Sequence, residues 1–188
     1  MILFYCLDFI KHTLNAHFKN SARWGSEKVV LTSLSTSNQN VDPDSKDKLL
    51  LTLVNISQET TLKNLTGLTS SEGAFKRGNP PQSFNVDFLL SANCSKYEES
   101  IKLLSDAINY LQGNHFFDHS NSPTLSTHIE KLSLSILDRD ISEMVHIWSA
   151  HGAQYLPSLA YRSRIVVIDG SEILETVPEL SSNNLRKG

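Results

Sequence analysis

The residues with the strongest claim to chemistry form the run His115-Phe116-Phe117-Asp118-His119. On a helix, His-x-x-x-His puts two imidazoles on one face, where they can hold a metal ion. Here the run follows a helical stretch and reads as loop. No Glu adjoins either histidine and no third ligand stands near, so polar loop residues around two half-buried phenylalanines are the favoured reading. His146 and His151 flank Trp148 near a helix end, where the dipole favours a cation and a structural role outweighs a catalytic one. Asp138 and Asp140 could pair as acid and base, but helix capping accounts for Asp140 and a surface charge for Asp138. Neither Gly-x-Ser-x-Gly nor a glycine-rich phosphate-binding pattern occurs. Cys6 and Cys94 sit in apolar segments without a base close in sequence, as buried free thiols do. The residues therefore name no catalytic group, no cofactor site and no metal ligand, and they do not point to an enzyme. Arg162 and Arg164 share one face of a strand-like segment. A solvated strand face and a basic stripe for an acidic protein partner explain them equally well.

These groups need a scaffold, and the composition describes one. A chain of 188 residues with 39% hydrophobic and 20% charged residues is large enough for one domain with a buried core. A net charge of -3 gives no clustered basic face for nucleic acid. Two cysteines are too few for a disulfide framework. The apolar start, Met1 to Leu7, lacks a basic n-region and is interrupted by Asp8 and Lys11. No run approaches the ~20 apolar residues of a membrane span. The expectation is a cytoplasmic protein that does not engage a membrane.

Periodicity then orders the elements. Leu3, Leu7, Ile10, Leu14 and Phe18 recur on one helical face, with Asp8, Lys11, Asn15 and Lys19 mostly off it. Lys28–Leu34 reads as a short strand. Lys48–Ile56 is an apolar run that does not alternate, as in a strand covered on both faces. From Ser57 to Pro81 the apolar pattern is lost, and a connector of this length should be functional or interfacial. Ser83–Ala92 alternates, with Phe84, Val86, Phe88 and Leu90 on one side and Asn85, Asp87 and Ser91 mostly on the other. Ser95 and Glu98 form a capping box for a helix that Gly113 would stop. Residues 115–127 read as loop and 132–136 as strand. Asp140 caps a helix with the stripe Ile141, Met144, Val145 and Trp148, ended by Gly152. Pro157–Asp169 reads as the last strand. Residues 171–188 carry only short apolar patches at Ile173-Leu174 and Val177. The order predicts a single α/β (α+β) domain with helices packed on a mixed β-sheet.

Two blocks carry more than any motif. One is Pro80-Pro81 with the strand to Leu89-Leu90-Ser-Ala92, leading into Tyr97-Glu-Glu-Ser-Ile-Lys-Leu-Leu and on to Gln112-Gly-Asn114. The other is Ile147-Trp148-Ser-Ala-His-Gly152-Ala-Gln-Tyr155-Leu-Pro157-Ser158-Leu-Ala-Tyr161-Arg-Ser-Arg164. Together they resemble the tail-terminator, or cap, family of phage-tail-like contractile injection systems, over roughly residues 1–170. The spacing of Trp148, Gly152, Tyr155, Pro157, Ser158 and Tyr161 is the most specific part.

The resemblance implies a structural protein: a mixed sheet with helices, assembled as a six-fold ring at the distal end of the inner tube and sheath, where it ends tube growth and anchors the sheath. It implies a homo-oligomer with tube and sheath proteins as partners, no cofactor, no nucleic acid and no membrane. Assembly would take place in the cytoplasm, within a particle that can be released. We expect residues 1–170 to form the terminator-like domain and 171–188 a C-terminal tail. We place contacts on the 57–81 segment with Lys76 and Arg77, on the Arg162/Arg164 face, and on the tail at Ile173 and Leu174. Trp148, Gly152, Tyr155, Pro157 and Tyr161 are expected to determine the fold, the aromatics locking the last helix onto the last strand. Competing readings are a terminator of a contractile phage, a non-catalytic adaptor that binds one partner through the 57–81 segment, and a small hydrolase or metal enzyme using His115, Asp118 and His119.

Overall fold

The computed structural model describes residues 1–34, 43–59, 68–71, 74–78, 82–167 and 173–178. In chain order the elements are α1 (Ile2–Asn20), β1 (Val29–Leu31), a single 3-10 turn (Pro43–Ser45), β2 (Lys48–Gln58), β3 (Leu68–Ser71), β4 (Ala74–Gly78), β5 (Gln82–Asn93), α2 (Tyr97–Gly113), β6 (Phe116–Asp118), β7 (Ile129–Ile136), α3 (Ile141–His151), β8 (Ser158–Val167) and β9 (Ile173–Pro178). Six strands form one sheet in the order β1-β2-β5-β8-β7-β6. Only β1 and β2 run parallel, and every other pair is antiparallel. The sheet is mixed, as expected.

The alternation of β5 decides the layering. Val86, Phe88, Leu90 and Ala92 face α1 and α2 and pack with Leu7, Ile10, Leu14, Phe18, Leu103, Ala107 and Leu111. Leu89 points the other way, into a smaller cluster with Leu50, Ala160 and Trp148 of α3. Leu49 and Leu51 join the first cluster and Leu50 the second, so β2 is covered on both faces, which is why its apolar run does not alternate. Each large apolar side chain fully removed from water here contributes roughly 1.5–3 kcal/mol.

Several local expectations change. Asn15 is not on the wet side of α1. It is buried, donates through Nδ2 to the Val29 carbonyl (2.9 Å), and accepts from the Lys28 and Val29 amides (2.9 and 2.8 Å). One side chain thus satisfies the backbone of the edge strand β1, whose outer side has no neighbouring strand among the described residues. Ser95 does not cap α2. Lys96 is the cap residue and makes no side-chain cap bond; the Ser95 amide donates instead to Asp47 (2.8 Å), and Glu98 pairs with Lys102 (2.6 Å). Gly113 stays within the helix, because Asn114 ends it by turning its side-chain and backbone N–H groups onto the Tyr110 carbonyl, each at 3.0 Å.

The segment expected to be an unbroken loop from 57 to 81 carries structure. β2 runs on to Gln58, and β3 and β4 form an antiparallel pair within it. Pro157–Asp169 is not the last strand either: β9 follows and pairs antiparallel with β4, giving a second sheet in the order β3-β4-β9. The 115–127 loop contains β6, a short edge strand on β7.

The last helix begins and ends as read, but its expected apolar stripe does not face the core as a whole: Trp148 is buried and Met144 half-buried, whereas Ile141 and Val145 are exposed. Asp140 accepts a bond from the Glu143 amide (2.8 Å), and Gly152 ends α3 in the left-handed conformation (φ 61°). A Cβ at Gly152 would meet nothing within 4 Å, so its requirement is purely conformational. Gly152→Ala is expected to lower stability by about 1 kcal/mol through backbone strain alone, measured as a shift of the urea midpoint at unchanged slope.

Candidate functional site

The face of the sheet on the α3 side carries polar residues on its four central strands. Strand register aligns Asn55, Asp87, Arg162 and Ser135 in one row across β2, β5, β8 and β7, and Ser57, Asn85, Arg164 and Ser133 in the next. In the first row Arg162 grips Asp87 with two parallel bonds, Nε to Oδ1 at 2.7 Å and Nη2 to Oδ2 at 2.9 Å. Asn55 Nδ2 adds a longer contact to Oδ2 at 3.4 Å. Beside the second row, Glu59 accepts from Arg164 at 3.0 Å and from Asn85 Nδ2 at 3.2 Å. The Asn85 Oδ1 oxygen is buried and has no hydrogen-bond partner among the described residues.

Burial is unequal within each pair. Asp87 is only 2% exposed. The Arg162 side chain is 31% exposed and that of Arg164 48%, while the Glu59 side chain is 8% exposed. Burial raises the Asp87 pKa, but the Arg162 bonds, the Arg162 charge and the Asn55 contact outweigh it, and the carboxyl sits below the ordinary range. The two arginines are thus compensated by acids on or just beyond other strands and do not form a free basic stripe. The acids Asp87 and Glu59 are the partners that sequence reasoning missed. The signal for Asp87 was its place opposite the apolar side of β5. Glu59 lay where the pattern was lost.

The aromatic residues split between the two faces. Trp148 is buried under α3, with its ring 5.7 Å from that of Tyr155, which is itself exposed. Tyr161 does not join them. It lies on the opposite face of β8, stacked on Phe88 at 5.6 Å within the larger core, and burial pushes its hydroxyl up to about 12. The sheet itself separates the two aromatic groups, because residues 160 and 161 point to opposite sides. Pro157 immediately precedes β8, and its carbonyl accepts from the Ala92 amide at 2.9 Å.

β4 carries Lys76 and Arg77, and β9 carries Ile173 and Leu174. Lys76 is in register with Thr69 and Thr176, Arg77 with Leu68 and Glu175, and Ile173 with Gly78. The structure therefore brings the 68–78 and 173–178 segments, almost a hundred residues apart, into one sheet.

The histidine run is strand β6 followed by a turn at its end. Asp118 Oδ1 accepts from the Ser120 hydroxyl (2.6 Å), the Ser120 amide (2.9 Å) and the Asn121 amide (3.0 Å), which holds its carboxyl below the ordinary range. Phe117 is buried edge-on against Phe9 at 5.1 Å, while Phe116 is exposed. Among the described residues no group of three His, Cys, Asp or Glu side chains is placed to hold a metal ion. Cys6 is buried beside Ser163 (3.4 Å), and burial pushes its thiol up to about 11, against the weaker opposite pull of that contact. Such a thiol is not a nucleophile at neutral pH. Cys94 is half-buried rather than buried. Among the described residues no helix is long and apolar enough to cross a membrane.

Two solved structures have this architecture. One is the PVC sheath/tube terminator of an extracellular contractile injection system in its extended state, with TM-score 0.58 and 14% identity over 97% of this chain and 63% of that one. The other is the tube-terminating cap of the anti-feeding prophage, with TM-score 0.61 and 12% identity over 93% of this chain and 58% of that one. At these identities the likeness is one of fold, and the fold is that of the terminators. The chain spans about three-fifths of the length of both structures. It belongs to the Pvc16 N-terminal domain family, whose model matches residues 7–181. Among curated proteins nothing matches.

Proposed function

We propose that this chain is a subunit of the cap that ends the inner tube and sheath of a contractile injection system. One observation carries the reading: the family match spans residues 7–181, and the two solved structures compared above are terminators of such tubes. The role is structural. The cap stops tube growth by offering a tube-like surface on one side and withholding one on the other, and it holds the end of the sheath. No catalytic step and no cofactor enter it.

The subunits form a six-fold ring through heterologous contacts that close by rotation. Inner tube and sheath proteins are the partners. The β3-β4-β9 sheet supports a contact role for Lys76, Arg77, Ile173 and Leu174, since it unites in one sheet the two segments expected to make contacts. The Arg162/Arg164 face serves as a contact through shape and hydrogen bonding rather than net charge, because its arginines are already compensated. Residues 1–170 supply the terminator domain and 171–188 the tail. Assembly proceeds in the cytoplasm and the cap leaves with the particle.

Electron microscopy of particles from cells with and without the gene tests this reading, with tube lengths recorded. Deletion should give tubes and sheaths of unregulated length, early contraction, and loss of six-fold density from one end. Particles of normal length with an unchanged end would refute it.

A further inference from the structure

The six-stranded sheet ends in β1 on one side and β6 on the other, and neither has a further strand beside it among the described residues. The outward N–H and C=O groups of such an edge are a template for any extended chain that reaches them. The ladder tells which groups these are. On β1 the Lys28 carbonyl and the Thr32 amide bond to β2, so Val29 and Leu31 turn their backbone groups away from the sheet. On β6 the His115 carbonyl bonds to β7, so Phe116 and Asp118 turn theirs away.

A side-chain carboxamide sits on each edge. Asn15 of α1 accepts from the Val29 amide (2.8 Å) and donates to the Val29 carbonyl (2.9 Å). These are the two bonds that one residue of an antiparallel strand would make there. Asn121, in the turn after β6, accepts from the Asp118 amide and donates to the Phe116 carbonyl, each at 3.0 Å. These are the two bonds that one residue of a parallel strand would make. The Ser122 amide takes the Asp118 carbonyl as well (2.8 Å). A carboxamide offers an edge the donor and acceptor of a peptide group, but it presents no further backbone edge behind it. It therefore ends the ladder where a strand would extend it.

Both edges have the composition that favours pairing. β1 is the uncharged run Val29-Val30-Leu31, and β6 carries Phe116, an exposed aromatic ring on an edge strand. Two unrelated elements, a helix and a turn, bring the same side chain to the same kind of place.

We propose that Asn15 and Asn121 are edge guards, which hold both ends of the six-stranded sheet closed against strand addition by a second copy of this chain. Copies then meet through other surfaces, and the sheet does not grow from subunit to subunit. The guards act on the free subunit, whatever its role after assembly.

Asn121 is exposed, so Asn121→Ala opens one edge without disturbing the core. The isolated full chain, wild type and variant, is compared by sedimentation over a range of concentrations and by amide hydrogen exchange. In the dilute variant the Asp118 amide should exchange about fivefold faster, because one hydrogen bond is lost. In the concentrated variant a species larger than any in the wild type should appear, and the Asp118 amide should regain protection as a neighbouring copy takes it. Phe116→Lys added to Asn121→Ala puts a charge on the open edge and should restore wild-type sedimentation. Gly152→Ala, which weakens the fold away from both edges, should sediment as wild type. Asn15→Ala should associate in the same way, with protection returning at the Val29 amide; because Asn15 is buried, thermal denaturation first confirms that this variant folds, and Asn121→Ala decides the matter alone where it does not. Wild-type sedimentation of Asn121→Ala at every concentration overturns the proposal. So does association that Gly152→Ala shares or that Phe116→Lys fails to reverse, since either traces to a weakened fold and not to an open edge.

Discussion

Arg162→Ala is expected to destabilise the domain by about 3 kcal/mol, at the lower end of the ~3–5 kcal/mol seen when one partner of a buried ion pair is removed. Asp87 has almost no contact with water. Without the guanidinium its remaining side-chain donor among the described residues is Asn55 at 3.4 Å, too long to solvate a carboxylate. The lower end applies because the Arg162 side chain is nearly a third exposed, so water can enter the space it leaves. Asp87→Val combined with Arg162→Val should recover most of the loss, since two β-branched side chains on adjacent strands need no solvation. Urea denaturation of the three proteins at neutral pH decides it. If the single variant costs less than about 1 kcal/mol, Asp87 does not depend on its partner. Arg162→Glu would face Asp87 with a second acid, so a loss of docking in that variant would report unfolding rather than a lost contact.

The same pair predicts a pH dependence. The Asp87 pKa is lower in the folded chain than in the unfolded one: burial raises it, but the bonds and charge of Arg162 lower it more. The unfolded chain therefore takes up the proton first as pH falls. The pair's contribution is whole above the ordinary carboxylate range, near 4, and is lost as pH drops through the folded value. The stability difference between wild type and the double valine variant should stay constant from about pH 8 to pH 6 and shift against the wild type below about pH 4.

The features visible in the sequence are those with a local cause. The alternation of Phe84, Val86, Phe88 and Leu90 is a property of β5 alone, and the Asp140 cap and the Gly152 stop each act within a few residues. The expectations that failed depend on partners far along the chain. β4 is short and carries Lys76 and Arg77, so nothing in its own pattern marks it as a strand; its pairing with β9 supplies the order. Ser95 is a good cap residue, but Asp47 on another segment takes its amide. The site follows the same rule. That Arg162 and Arg164 share a face could be read from β8, but the acids that compensate them stand on or beside other strands, and only the register brings them together. Tyr161 and Trp148 belong to one motif along the chain yet lie on opposite sides of the sheet. Their separation could be read only by knowing which face α3 covers. The motif spacing was nevertheless enough for the resemblance, because spacing within one segment is independent of where that segment packs.

Trp148→Ala is expected to cost about 3–5 kcal/mol, the largest effect of any single change considered. Trp148 is the one residue of α3 that is fully buried, packed with Leu50, Leu89 and Ala160. On the other flank of the helix Ile141 is 85% exposed and Val145 56%, so they add little to its hold on the sheet. Removing the indole should release α3 as a unit, and hydrogen exchange over 141–151 should rise well before exchange in β5 and β8. Trp148→Phe should behave differently. The Trp148 Nε1 group is buried without a hydrogen-bond partner among the described residues, so the indole carries a desolvated donor that phenylalanine lacks. Phenylalanine keeps an aromatic ring against Leu89 and Ala160 and sheds that cost, so the net loss should stay below about 1.5 kcal/mol. A loss as large as that of the alanine variant would mean that the indole N–H does find an acceptor.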